Sequence, residues 1–326
     1  MRIINLSAGG DPFISLFTIR LLQERCNGEF DKIFVNYNNH SQVPQEVVSE
    51  FLSIVSKDKR IHIIYHPYGC GNGTPIKEGL LLADKDSLIL LLEDDSFMFT
   101  PKVIDGWFKL IEENKTDMVG SPRYTYGEVA DAAKKKYNLD YSGVGDKGFG
   151  LWPSFFTCKQ SDLLKTNLDF GSTKYSKGEY FKELDHTFSE TCYTDTFTWT
   201  SLQLRYMGLR LLEVPQYHAD VYEIESKKKG VMNWVNGSPT HIHGGSLSAG
   251  WGGYLSGRLP DVSHDAAKQE IESRVAFWTI CSDIVDGFTE FRKLYQIGIL
   301  KLITDCKLDN FRIDKKINIY KNLMKI

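Results

Sequence analysis

Apolar and polar positions along the first hundred residues fall into two alternating periods. Arg2 to Leu6 is a short apolar run, closed by a Gly9-Gly10-Asp11-Pro12 turn. Phe13 to Arg25 then carries apolar residues at helical spacing, and Lys32 to Tyr37 is rich in β-branched and aromatic residues. Gln45 to Ser56 reads as a helix and Arg60 to His66 as a strand. A glycine-rich stretch over Gly69 to Pro75 leads into a helix over Ile76 to Ala83, followed by an apolar strand over Ser87 to Leu92. Strands alternating with helices predict an α/β domain with a mostly parallel sheet. The wholly apolar Ser87 to Leu92 suits a strand covered on both faces.

The second half is less regular. Gly120 to Gly150 mixes turns with a Lys134-Lys135-Lys136 run. Leu151 to Cys158 is strand-like, Asp195 to Gly208 has helical spacing, and Leu209 to Val214 is another strand. Asn233 to Pro260 reads as loop, rich in Gly, Ser and Trp. From His264 onward the pattern is mostly helical, an appendage rather than an independent core.

Composition narrows the class. At 42% apolar and 25% charged, the chain has enough apolar surface to exclude general disorder. Its 326 residues suffice for one large domain with an appendage, or for two domains. A formal net charge of −3 gives no general pull toward nucleic acid. The short basic runs at Lys134 to Lys136 and Lys227 to Lys229 read first as solvated faces. No apolar run is long enough to cross a bilayer, and the opening residues lack the apolar stretch of a signal peptide, so a soluble cytoplasmic protein is expected. Six scattered cysteines without a CxxC pair predict reduced, packed thiols and no zinc cluster.

The sharpest chemical signal is Leu90-Leu91-Leu92-Glu93-Asp94-Asp95-Ser96. A buried strand running into three carboxylates needs compensation. Acids at the carboxyl end of a parallel strand sit where open α/β sheets bind ligands, and hard oxygen donors suit Mg²⁺ or Mn²⁺. The competing reading is plain capping of a following helix by Asp94, Asp95 or Ser96. The upstream Gly69 to Thr74 loop would let backbone approach a phosphate or ribose, although it lacks both a P-loop lysine and a full GxGxxG.

In this order, these segments resemble the nucleotide-sugar half of GT-A-type glycosyltransferases, close to the family-2 pattern. Glu78-Gly79 and Glu93-Asp94-Asp95 stand where that family has an acid or Asn before Gly and its DxD motif. The resemblance covers roughly Met1 to Gly253. It implies a Rossmann-like central sheet flanked by helices over residues 1–260, with a nucleotide-sugar half over about 1–120 and an acceptor half over about 121–260. Residues 261–326 would form a helical carboxy-terminal extension. It implies that Asp95 binds a divalent metal (Mn²⁺ or Mg²⁺), with Glu93 or Asp94 at the ribose or behind the metal. Ser7, Ala8, Asn36, Asn72, Gly73 and Glu78 would line the nucleotide side.

Two further motifs carry the resemblance. Tyr193-Thr194-Asp195-Thr196-Phe197, with Gly208-Leu209-Arg210 after it, is similar to the family's acid-helix-Gly segment, which supplies the base of inverting enzymes. Asp195 matches its second acid. Thr194 replaces the first, and Glu190 is a nearby substitute. The competing reading has Asp195 capping the helix from Thr196. In His241-Ile242-His243-Gly244-Gly245-Ser246 an i, i+2 histidine pair on an extended segment would share one side. His243 is favoured as a metal ligand, with His241 second and His218 third. Trp152, in Gly148 to Ser154, would stack on a sugar or simply pack the core.

The expectation is therefore a metal-dependent, inverting glycosyltransferase using a nucleotide-sugar, UDP being the family's commonest nucleotide. Its acceptor would be a glycan, a lipid-linked sugar, a protein or a hydroxymethylated DNA base. A homodimer through the carboxy-terminal helices is compatible. A nucleotidyltransferase of similar fold, a non-catalytic sugar-binding scaffold and an HxH-based metal hydrolase are the alternatives. The first normally needs a basic residue in the Ser7 to Asp11 turn, which has none.

Overall fold

The computed structural model describes residues 1–39, 43–123, 127–138, 150–214, 216–219, 230–235, 238–243, 265–284 and 289–324. Side chains of residues 122, 123 and 216–243 lie outside the description, as do some in the last three helices.

The first half builds β1 (Arg2–Gly9), α1 (Pro12–Arg25), β2 (Lys32–Asn38), α2 (Gln45–Val55), β3 (Ile61–His66), α3 (Gly73–Leu82) and β4 (Leu88–Glu93). These follow the expected alternation. Then come β5 (Ser96–Met98), α4 (Val103–Glu112), β6 (Met118–Arg123), α5 (Glu128–Tyr137), β7 (Gly150–Lys159) and the single-turn α6 (Gln160–Leu163). Seven strands form the central sheet in the order β12-β6-β7-β4-β1-β2-β3, where β12 is Leu211–Glu213. Only β7 runs antiparallel to its neighbours. The expected architecture is present: a mostly parallel sheet, helices on both faces and a carboxy-terminal helical region.

Alternate strand residues supply the two faces. Ile4, Leu6, Leu90 and Leu92 pack with α1, α2 and α4. Ile3, Ile89, Leu91 and Phe156 pack with Ile76 and Leu80 of α3, and with Leu204 of α7 (Thr198–Tyr206). A third cluster joins α5 to Tyr175 and Phe181 of the short strands between β8 (Thr173–Tyr175) and β11 (Cys192–Thr194), and to Phe188 in the loop among them. β9 (Tyr180–Phe181) and β10 (His186–Thr187) lie between them.

The carboxy-terminal helices α8 (Asp265–Ile284), α9 (Thr289–Asp305) and α10 (Asn310–Met324) share the main core. Phe277 stacks on Phe97 of β5, and Phe97 in turn meets Phe17 of α1. Helix α1 is thus covered on two sides, and its residues Pro12 to Ile19 are all buried. That double burial replaces the one-sided apolar stripe of a surface helix.

Several details differ from the sequence reading. Gly120 to Gly150 contains the helix α5, which buries only Val129, Ala130, Ala132 and Ala133 and leaves Lys134 to Lys136 exposed in its last turn. There the lysines suit the helix dipole. Asn233 to Pro260 is not all loop, because β14 (Gly230–Val235) and β15 (Ser238–His243) pair with each other. With β13 (Gln216–Ala219) and β5 they form a second sheet in the order β13-β14-β15-β5. The six cysteines are free, and burial raises every one of their thiols, Cys26 to about 12.

Helix α4 is capped from a distance. Its own cap residue, Lys102, has φ 70° and supplies no side-chain cap. Glu29, buried before β2, accepts instead from Lys102 N at 2.6 Å and Asp105 N at 3.0 Å. Glu29→Ala is expected to lower stability by about 1–2 kcal/mol, as loss of a helix cap does. Urea titration of the variant measures this, and an unchanged midpoint would contradict the cap.

Candidate functional site

The acids after β4 cap no helix. Glu93 ends β4, Asp94 and Asp95 make a turn, and β5 begins at Ser96. The capping alternative for Asp94, Asp95 and Ser96 is therefore overturned: the next helix starts at Val103.

The three carboxylates have different surroundings. Glu93 is half-buried and accepts from Ser154 Oγ of β7 at 2.7 Å. Asp94 is buried and points to the α1 side, where its Oδ2 accepts from Gly9 N at 2.9 Å and Ser15 Oγ at 2.5 Å. Thr18 Oγ1 donates to the Asp94 carbonyl. Asp94 thus ties the end of β1 to α1 and holds the turn on which Asp95 sits. Asp95 is 3% exposed. Ser96 is fully buried, and among the described residues its hydroxyl has no hydrogen-bond partner.

Strand register gathers other candidates on this carboxyl edge. Ser7 of β1 stands opposite Glu93 on one side and Asn36 of β2 on the other. Ser7 is half-buried and Ala8 is buried. Trp152, half-buried, lies two residues from Ser154 on β7, in the stretch where the pairing of β7 with β6 shifts register. Asn36 is buried entirely; its Nδ2 donates at 2.7 Å to Asn5, whose own Nδ2 donates to the Ile76 carbonyl of α3. Asn36 is therefore placed inside the layer beneath α3, away from the open edge. Glu78 of α3 pairs with His66 of β3 at 2.8 Å.

The glycine-rich loop is partly helical, because α3 begins at Gly73. Asn38 pins the loop, donating from Nδ2 to the Cys70 carbonyl and accepting from Cys70 N. Asn72 precedes α3, exposed and without a side-chain cap bond. Chain packing accounts for two of the glycines. A Cβ on Gly73 would lie 2.4 Å from Gly171 N, and one on Gly79 would lie 2.2 Å from Asn5 Oδ1. Gly71 faces open space.

Asp195 is exposed in the turn between β11 and α7. Its Oδ1 accepts from Thr196 N at 2.7 Å, and its carbonyl accepts from Thr198 N at 3.2 Å. The helix does not begin at Thr196: Phe197 occupies the cap position with no side-chain cap bond. Helix α7 reaches the same sheet edge, since Ser201 Oγ accepts from Leu151 N of β7 at 3.0 Å. Glu190 is exposed ahead of β11, where its amide donates to Glu128 Oε2.

Glu128 itself was not singled out from the sequence. Its carboxylate gathers Ser189 N, His186 Nε2, Glu190 N and Ser189 Oγ, and these bonds hold its pKa down at about 2. A depressed acid stabilises the fold above its unfolded pKa of about 4.3. The turn over residues 186–190 is accordingly expected to loosen as pH falls from there toward about 2. Amide exchange at Ser189 followed down that range measures this, and constant protection would contradict it.

Register brings the histidine strand to the acids. β15 pairs antiparallel with β5, so His243 lies opposite Ser96 and His241 opposite Met98. The extended backbone expected for this pair is present, while both imidazoles lie outside the described side chains. His218 is on β13, two strands away from β15. Among the described residues no group of three His, Cys, Asp or Glu side chains is assembled to hold a metal ion. No helix among them is long and apolar enough to cross a membrane.

No protein-family model and no curated protein matches the chain. Solved structures do. One is TarS 1–349 from S. aureus, with 11% identity, TM-score 0.40, and 100% of this chain and 90% of that one covered. A second is mannosyltransferase PcManGT from Pyrobaculum calidifontis in complex with GDP-Man and Mn²⁺, with 8% identity, TM-score 0.43 and coverages of 99% and 85%. A third is GalNAc-T7 with UDP, GalNAc and Mn²⁺, with 8% identity and TM-score 0.37; 52% of this chain matches 37% of that one. These are distant likenesses in chain course.

Proposed function

We propose that this chain is a metal-dependent glycosyltransferase of the GT-A type, moving a sugar from a nucleotide-sugar to an acceptor hydroxyl with inversion. The observation that carries the reading is the acid turn. Glu93 and the buried Asp95 lie at the carboxyl edge of a parallel strand, cap no helix, and stand beside a strand bearing His243. Ligands bind open α/β sheets at that edge.

The donor set suits a divalent ion. Asp95 supplies a hard oxygen and His243, with His241 next to it, an imidazole. The buried Ser96 hydroxyl, without a hydrogen-bond partner among the described residues, leaves unused polar capacity at the same turn. A bound Mg²⁺ or Mn²⁺ there supplies charge neutralisation for a leaving diphosphate. Glu93, Ser7, Asn72 and Trp152 border the space for ribose and sugar. Asp195 accepts the proton of the acceptor hydroxyl. The acceptor oxygen bonds to the anomeric carbon as the bond from that carbon to the diphosphate oxygen breaks.

Thermal unfolding with a panel of UDP- and GDP-sugars, in Mn²⁺, in Mg²⁺ and in chelator, tests this. One donor is expected to stabilise the protein only with metal, by about 2.7 kcal/mol at a hundredfold excess over its Kd. No stabilisation by any donor, or stabilisation indifferent to chelator, would contradict the reading.

A further inference from the structure

Phe197 has a backbone that its residue type does not favour. Its φ is 69° and ψ −4°, left-handed values that are uncommon for a bulky side chain. It also stands at the cap of α7, where a polar side chain is the rule, and provides no cap bond. Such conformations persist where the surroundings over-determine them, and they cluster at functional sites.

The surroundings here are specific. The Phe197 ring is fully buried, stacked on Phe170 with centroids 6.0 Å apart and tilted against Phe156 of β7 at 5.1 Å. Its amide donates to the Phe170 carbonyl at 2.8 Å. Thr200 Oγ1, one turn into α7, donates to the Asp169 carbonyl, and Asp169 Oδ1 accepts from Gly171 N. The other side of this Phe170–Gly171 segment is the backbone against which Gly73 rests, with no room for a Cβ. One short piece of chain therefore links the start of α3 to the turn that carries Asp195.

We infer that Phe197 is a positioning residue for Asp195, its left-handed backbone locked by the Phe156–Phe170 ring clamp and the Phe170 carbonyl so that the Asp195 carboxylate is fixed relative to the α3 start. This rests on the glycosyltransferase reading for its catalytic meaning, but the positioning itself does not. A free left-handed turn would let the Asp195–Thr198 segment sample other directions. The ring clamp removes that freedom and transmits the position of α3 to Asp195.

Two substitutions separate backbone from ring. Phe197→Gly accepts the left-handed φ but loses the clamp; Phe197→Met keeps an apolar filler under the same backbone demand. The Thr196 amide, which donates to Asp195 Oδ1, is the reporter. Its hydrogen exchange is expected to accelerate about tenfold or more in Phe197→Gly, with the β7 amides of Phe155 and Phe156 unchanged and with Phe197→Met close to wild type. In transfer kinetics Phe197→Gly is expected to lose about a hundredfold in kcat with donor KM unchanged, Phe197→Met restoring most of it. Unchanged Thr196 exchange in Phe197→Gly, or faster exchange with unaltered kcat, overturns the inference. If the wild type binds no nucleotide-sugar, the glycosyltransferase reading fails by itself, and the exchange result still decides whether Phe197 positions Asp195.

Discussion

Asp195→Asn is expected to lower transfer to an acceptor by between about a hundredfold and ten-thousandfold, the usual range for removing a general base. The substitution is nearly isosteric, and the new amide oxygen can still accept from Thr196 N, so the turn ahead of α7 should keep its shape. Donor affinity should stay within about twofold, because Asp195 faces the acceptor side in this account. Loss of kcat with retained donor binding is thus the signature. If donor affinity and kcat fall together, Asp195 belongs to the donor site instead. If neither changes, Glu190 becomes the next candidate, although its amide is held by Glu128, ahead of β11.

The second large effect concerns stability. Glu272 of α8 and Lys316 of α10 are both fully buried, with Lys316 Nζ 3.9 Å and Arg312 Nε 3.6 Å from Glu272 Oε2. Among the described residues neither Glu272 oxygen accepts a hydrogen bond, while Lys316 Nζ donates to Ser273 Oγ at 2.9 Å. Charge alone compensates this carboxylate. Lys316→Met leaves it only the partly exposed Arg312 guanidinium at 3.6 Å and is expected to cost about 3 kcal/mol in urea unfolding. The double variant Glu272→Leu, Lys316→Met removes both charges, and should recover to within about 1 kcal/mol of wild type or exceed it. Because α8 and α10 join the core around Phe97 and Phe17, the loss should reach the main transition rather than a separate one. A separate early transition would mean that the terminal helices unfold by themselves.

Local pattern made the central sheet legible. Strands β1, β2 and β4 are compact apolar runs between turn residues, and burial on both faces leaves that signal unbroken; β3, at the sheet edge, is only half-buried. Helix α5 escaped because its buried face is alanine and valine, too weak a contrast beside three lysines. β14 and β15 were hidden in a Gly- and Ser-rich stretch, their pairing set by β5, about 140 residues earlier in the chain. The acid turn could be read at once, but helix capping and ligand binding could not be told apart until β5 was seen to follow it. The same holds for the glycines. Gly73 suggested a phosphate loop, yet the atom that forbids its Cβ belongs to Gly171. Glu29, Glu128 and Phe197 left no sequence signal, since each acts on a partner distant in the chain or through a backbone angle.

Nucleotide release from the donor that binds is the most direct test of the acid turn as a metal and diphosphate site. It should be measured for wild type, Asp95→Asn and Asp195→Asn with Mn²⁺ and with chelator. Release by the wild type should need metal, Asp95→Asn should abolish it, and Asp195→Asn should still bind the donor. Equal release by Asp95→Asn and the wild type, or release that persists in chelator, would contradict the account.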